Sequence, residues 1–164
     1  WYTKSVSSMA NGGYVKGYED SSFRPNAPIT RAEFVTIAAA FMNAKAGDVS
    51  FTDVSKTDWF YQYVSTAVSY KWISGYPDGS FRPNQPITRA EAMTIINTML
   101  ARGVDAEGLI TGIKAWPDNI QGQWYYYDVI EATNNHLYTG SRPSEKWTSL
   151  NTGYVYDIDK YVKP

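Results

Sequence analysis

Cysteine is absent from the 164 residues, so the chain has no disulfide frame, no thiolate zinc site and no cysteine nucleophile. Histidine occurs once, as His136. With no second histidine and no cysteine, a zinc-type site lacks its usual ligands, and no metal or cofactor is expected. Standing beside Asn134 and Asn135, His136 reads as a hydrogen-bonded structural group. No apolar run approaches the roughly 18 residues needed to span a bilayer. Neither sign of charge prevails: 15 Lys and Arg against 16 Asp and Glu leave a net charge of −1. That balance lacks the basic field that nucleic acids and anionic membrane surfaces attract. No leader-type segment is present and the chain opens on Trp1, so we expect a segment of a longer polypeptide.

Aromatic residues are in excess, with 14 Tyr, 6 Trp and 6 Phe making up 16% of the chain. Core packing absorbs part of them. Exposed platforms for sugar rings would explain the rest, because a flat apolar face suits the C–H face of a pyranose. Hydrophobic residues at 43% and charged residues at 19% mark a globular chain rather than a disordered one.

The chain repeats itself. Gly17-Tyr18-Glu19-Asp20-Ser21-Ser22-Phe23-Arg24-Pro25-Asn26-Ala27-Pro28-Ile29-Thr30-Arg31-Ala32-Glu33 returns 58 residues later as Gly75-Tyr76-Pro77-Asp78-Gly79-Ser80-Phe81-Arg82-Pro83-Asn84-Gln85-Pro86-Ile87-Thr88-Arg89-Ala90-Glu91, identical at 14 of 17 positions. Trp1-Tyr2 matches Trp59-Phe60 at the same offset. A third copy stands 65 residues on: Trp116-Pro117-Asp118 matches Phe51-Thr52-Asp53, Trp124-Tyr125 matches Trp59-Phe60, and Gly140 matches Gly75. After Gly140 it departs, and no Thr-Arg-Ala-Glu is found there.

Each full unit reads helix, loop, helix. Phe60, Tyr63, Val64, Ala67, Val68 and Trp72 form an amphipathic stripe, with Asp58 as N-cap. Gly75 and Gly17 then end helices, and Tyr76-Pro77-Asp78-Gly79 is a turn. Thr30 to Glu33 and Thr88 to Glu91 have the Thr-x-x-Glu form of a capping box. These signals predict helices near residues 1–11, 30–44, 58–72, 88–102 and 123–137, with only short extended strips. Two short helices cannot bury their faces alone, so neighbouring units must share a core.

Phe51-Thr52-Asp53-Val54, Trp59-Phe60, the Gly75-to-Pro83 loop and Thr88-Arg89-Ala90-Glu91 resemble the S-layer homology family, over nearly the whole chain and most weakly after Gly140. The resemblance implies a mostly α fold: three repeats (1–48, truncated at its start; 49–110; 111–164, degenerate) as helix-loop-helix lobes of a pseudo-threefold, monomeric bundle. It implies a secreted module, fused to a larger exported protein, that anchors it non-covalently to the bacterial cell wall. The implied partner is secondary cell-wall polysaccharide with a pyruvylated terminal sugar, held in grooves between repeats. Carried onto this sequence, the groove residues are Arg31 and Arg89, Trp1, Trp59 and Trp124, Asp20 and Asp78, and Gly17 and Gly75.

Each assignment has a plainer counterpart. Arg31 and Arg89 stand at helix starts that favour anions and suit bidentate pairing with a carboxylate, or they pair with an acid of a neighbouring repeat. Trp1, Trp59 and Trp124, placed one residue into the first helix, stack on sugar or pack between repeats, while Trp72, Trp116 and Trp147 are assigned to packing. Asp20 and Asp78 accept sugar hydroxyls or close Asx turns on their own backbone. Gly17 and Gly75 also let a ligand approach the backbone. Lacking a helix-start Arg, the third groove is expected to be filled by Trp147 and the tail from Tyr154 to Tyr161, with a short helix over 157–163. Arg142 and Lys146 are the cations available to it otherwise.

A wall-glycan hydrolase needs two carboxylates held about 5 to 10 Å apart in a cleft, whereas the acids here fall in caps, turns and repeat-start strips. A self-assembly domain of the surface layer is the other alternative to a binding module.

Overall fold

A computed structural model describes residues 2–42 and 47–153 of the chain. The fold is mostly helical. Its described elements are α1 (Thr3–Asn11), α2 (Arg31–Ala40), α3 (Tyr61–Ser69), α4 (Arg89–Met99), α5 (Tyr126–Thr133) and two strands, β1 (His136–Thr139) and β2 (Lys146–Leu150), paired antiparallel. Trp1 and the tail beyond Gly153, where a closing helix is expected, lie outside the described residues.

The second helix of each full repeat begins where its capping box dictates. Thr30 Oγ1 accepts from the Glu33 amide at 3.2 Å, and the Glu33 carboxylate accepts from the Thr30 amide at 2.8 Å. Thr88 and Glu91 reproduce the pattern at 3.2 and 2.8 Å. Two orphan amides are thereby satisfied at each helix start.

The first helices start later than predicted. Asp58 turns its carboxylate back to the Ser55 amide at 2.7 Å instead of capping α3. The chain then winds through turns, Tyr61 N–H donating to the Asp58 carbonyl at 3.0 Å, before α3 begins at Tyr61 without a side-chain cap. Trp59 and Trp124 therefore stand in the turns before α3 and α5, not inside the helices. Nor does the fifth helix reach 137. Asn134 is extended, and its side chain accepts from the Lys114 amide at 2.7 Å while donating to the carbonyls of Lys114 and Ile130. Beyond it the chain enters a hairpin that helical periodicity does not foresee.

The described residues fall into two compact units, one of residues 2–42, 47–70 and 74–86, the other of residues 71–73 and 87–153. In the first, α2 packs on α3. Ala32, Val35, Ala38 and Ala39 of α2 are buried, as are Phe60, Val64 and Ala67 at α3, with Phe81 fully buried beside Phe51 at a ring separation of 5.7 Å. In the second, α4 packs on α5, and Val104, Ile130 and Trp147 centre a core with Leu109, Ile110, Ile113, Tyr126 and Leu150 around it. Each unit thus joins the second helix of one sequence repeat to the first helix of the next.

Candidate functional site

The repeated loop folds the same way twice. Tyr18 and Tyr76 donate their amides to the carbonyls of Ser22 and Ser80, both at 2.8 Å. The carboxylate of Asp20 accepts from the Ser22 amide at 2.9 Å and hydroxyl at 2.6 Å, and Asp78 does so from Ser80 at 3.0 and 2.5 Å. Its second oxygen takes the guanidinium of Arg24 (2.7 Å) or Arg82 (2.9 Å), which covers the ring of Tyr18 or Tyr76. Hydrogen bonds from serine and arginine hold Asp78 down to about 2, and Asp20 well below the carboxylate range. Both aspartates thus close Asx turns.

The turn position taken by Ser21 (φ 64°) in one loop is Gly79 (φ 78°) in the other, so the glycine relieves a left-handed strain that the serine bears. Gly17 and Gly75 do not end helices, since α1 and α3 stop at Asn11 and Ser69. They open the loops instead: a Cβ at either would stand 2.9 Å from the carbonyl oxygen of Ser22 or Ser80.

Asp53 stands out in the sequence only as a repeat-start acid. Its two oxygens accept the amides of Phe81 (2.8 Å) and Arg82 (2.7 Å), and the Thr52 amide reaches the Gly79 carbonyl at 3.0 Å. The Phe-x-Asp strip is therefore a clamp on the loop of its own repeat.

Arg31 and Arg89, equivalent in sequence, differ in surroundings. The loop of the second repeat lies across the start of α2. Gln85 and Pro83 carbonyls accept the amides of Arg31 and Ala32 at 2.9 and 3.0 Å, and Arg31 Nε donates to the Phe81 carbonyl at 3.0 Å. The guanidinium lies 4.8 and 5.1 Å from the rings of Tyr76 and Phe81, and Arg31 is only 6% exposed. Expected as an accessible groove cation, Arg31 is instead a buried clamp joining two repeats. Arg89 is exposed. Among the described residues its side chain alone of the six arginines makes no hydrogen bond or ion pair.

Trp59 and Trp124 are held alike. Each ring meets the next aromatic, Phe60 or Tyr125, edge-on at 5.3 Å, and each residue is left 62% or 65% exposed. Trp1 lies outside the described residues. Trp72 and Trp147 are buried, and the half-exposed Trp116 bonds Thr133 under the Lys114 ammonium. Unit one brings Arg31, Gly75 and Asp78 to one loop–helix joint.

A second cluster has no sequence signal beyond Glu131 standing where repeat two has the buried Thr66. Arg102 binds Glu131 at 2.7 Å and Glu145 at 2.9 Å, under the ring of Tyr138. His136 Nδ1–H donates to the Asn134 carbonyl at 2.6 Å, leaving Nε2 to accept from Arg102 at 2.7 Å. Its ring stacks on Trp147 at 3.7 Å, so it is a hydrogen-bonded structural group. Burial raises the Glu131 carboxyl above its ordinary value, and the neighbouring Glu145 adds to that, against the Arg102 guanidinium. The ligand atoms of Glu131, His136 and Glu145 lie within 4.8 Å of one another, and the Arg102 guanidinium already serves them as cation. Arg142, a candidate cation for the third repeat, is tied to Asp128 at 2.9 Å and the Arg102 carbonyl at 2.9 Å.

A capping-box helix, an Asx-closed loop and an Asp clamp, arranged in tandem, define a class of short helical repeat module. The sequence profile of the S-layer homology domain matches residues 1–35 and 50–93, and the chain belongs to that family. Cell surface glycoprotein 1 of Acetivibrio thermocellus is 30% identical over 162 residues, covering 92% of this chain and 7% of that protein. The cellulosome-anchoring protein of the same organism is 33% identical over 144 residues, 84% of this chain and 31% of its own. The surface layer protein of Brevibacillus choshinensis is 31% identical over 138 residues, 80% of this chain and 12% of its own. The chain thus spans less than a third of the length of each.

Proposed function

We propose that the chain is a non-catalytic module of a larger exported protein, which it anchors to the bacterial cell wall by holding secondary wall polysaccharide. Its family and the names of its relatives support surface anchoring. Arg89 carries the finer reading: an exposed guanidinium, without a partner among the described residues, at the start of an eleven-residue helix whose dipole favours anions. A pyruvyl ketal is a carboxylate fixed to a sugar ring, and Arg89 pairs with it bidentately. Trp59 and Trp124, one in each unit, offer rigid exposed faces on which a sugar ring can stack. Within the first unit, Arg31 fixes the loop of Gly75 and Asp78, and Gly17 and Asp20 shape the equivalent loop.

A hydrolytic role finds less support. Asp20, Asp53, Asp78 and Glu33 are each spent on backbone amides and hydroxyls, which leaves none of them as an acid–base pair. Cosedimentation with purified wall sacculi tests the proposal. The chain is expected to pellet with intact sacculi and with neither polysaccharide-stripped nor depyruvylated ones. Arg89→Ala is expected to weaken pelleting by tens-fold, about the cost of unpairing a charge, and Arg89→Lys to restore it in part. Equal pelleting with stripped sacculi overturns the reading.

A further inference from the structure

The joint around the start of α2 has two halves, and each half recurs elsewhere without a mate. The helix half is Thr30, Arg31 and Ala32, whose two amides and Arg31 Nε reach Gln85, Pro83 and Phe81 carbonyls, with Thr30 bridged to Pro86. Thr88, Arg89 and Ala90 repeat that half behind an identical capping box. Among the described residues, the amides of Arg89 and Ala90 find no acceptor.

The loop half is Phe81, Pro83, Gln85 and Pro86. Phe23, Pro25, Ala27 and Pro28 repeat it in a loop with the same internal bonds. Among the described residues, the carbonyls of Phe23, Pro25 and Ala27 accept no hydrogen bond. Phe23 is 38% exposed where Phe81 is fully buried. Three donors on one side thus answer three acceptors on the other, in the spacing that already mates once within the chain.

We propose that the chain associates head to tail with a second copy of itself, the loop 17–28 of one seating on the start of α4 of the next as loop 75–86 seats on α2. Arg89 and Ala90 amides go to the Ala27 and Pro25 carbonyls of the second copy, Arg89 Nε to its Phe23 carbonyl, and the Phe23 ring leaves water. Tyr18 is already bonded to Glu33 at 2.9 Å beneath Arg24, so the loop arrives in shape and little ordering cost remains. Two unlike surfaces mating in this way give open chains, or a ring where the rotation closes. Arg89 has one guanidinium to offer, so wall carboxylate and second copy compete for it.

Sedimentation velocity of the chain over a range of concentrations, with no glycan present, tests this independently of wall binding. The expected result is a mass that rises with concentration, and at least about a tenfold weaker association in Arg89→Ala or Phe23→Ala, the cost of a hydrogen bond to charge or of comparable apolar contact. Both positions are exposed, so helical content and melting temperature should hold. Arg89→Ala keeps a sound loop and Phe23→Ala a sound helix start. Mixed, the two should recover one joint and form a 1:1 dimer that neither forms alone. A monomer at every concentration, or association indifferent to both substitutions, overturns the proposal, and so does a mixture that stays monomeric.

Discussion

The starts of α2 and α4 are the same sequence in two environments. Thr-Arg-Ala-Glu caps both helices with the same hydrogen bonds, to within a tenth of an ångström. Yet Arg31 is buried against Phe81 and Tyr76, while the Arg89 side chain is exposed and has no bond among the described residues. The difference lies in the repeat that comes after each helix. Repeat two supplies a Gly-Tyr-x-Asp loop to lie over α2. Repeat three, whose likeness fails after Gly140, supplies the β1–β2 hairpin and the acids that bind Arg102 to its unit. A motif thus sets its own local geometry, and the next repeat decides whether that motif is structural or available.

Breaking the two loops separates them most. Phe81→Ala should cost about 3–5 kcal/mol as a large buried ring is lost, whereas Phe23→Ala should cost under about 1 kcal/mol, the scale of a surface change, both read by urea unfolding of the dilute chain. The arginines come next. Arg31→Ala should cost about 2–4 kcal/mol, from a hydrogen bond to a charged group and its contacts with two rings. Arg89→Ala should stay within about 0.5 kcal/mol, as an exposed change does. Equal losses at the two positions would erase the comparison. Thr30→Ala and Thr88→Ala should each cost about 1 kcal/mol, alike because the boxes are alike.

A pH series sharpens the contrast inside unit two. The Glu131 carboxyl is raised in the folded state, so its contribution is most favourable below the unfolded value near 4.5 and declines as pH rises through the folded one. Glu131→Gln keeps an acceptor for Arg102 and leaves one carboxylate per guanidinium. The melting temperature of Glu131→Gln relative to the parent should therefore climb as pH rises above about 4.5. A difference flat in pH would show that the cluster takes up no proton.

What is legible in the sequence is local. Both capping boxes, the Asx-closed loop and the approximate position of the five described helices come from residues within a few places of one another. What stays hidden needs distance: Arg31 is buried by a carbonyl fifty residues away, and Asp53 clamps amides twenty-eight and twenty-nine residues on. Asp58 has the placing of a forward cap, but its carboxylate bonds back to Ser55, which is why Trp59 stands before α3. The hairpin escapes because its strands are four and five residues long, with a register shift between Leu137 and Tyr138. They also succeed a helical stripe that the offset of 65 extends too far. Of the residues expected to bind, Arg89, Trp59 and Trp124 are exposed, while Asp20, Asp78, Gly17 and Gly75 shape the loops.

The most direct test is a calorimetric titration of the dilute chain with a monovalent pyruvylated amino sugar. Binding heat should disappear in Arg89→Ala, return in part in Arg89→Lys, and be absent for the same sugar without its pyruvyl group, with the melting temperature of the free chain unchanged throughout. Undiminished binding by Arg89→Ala, or equal binding of the neutral sugar, would contradict the assignment of Arg89 as the group that reads the wall carboxylate.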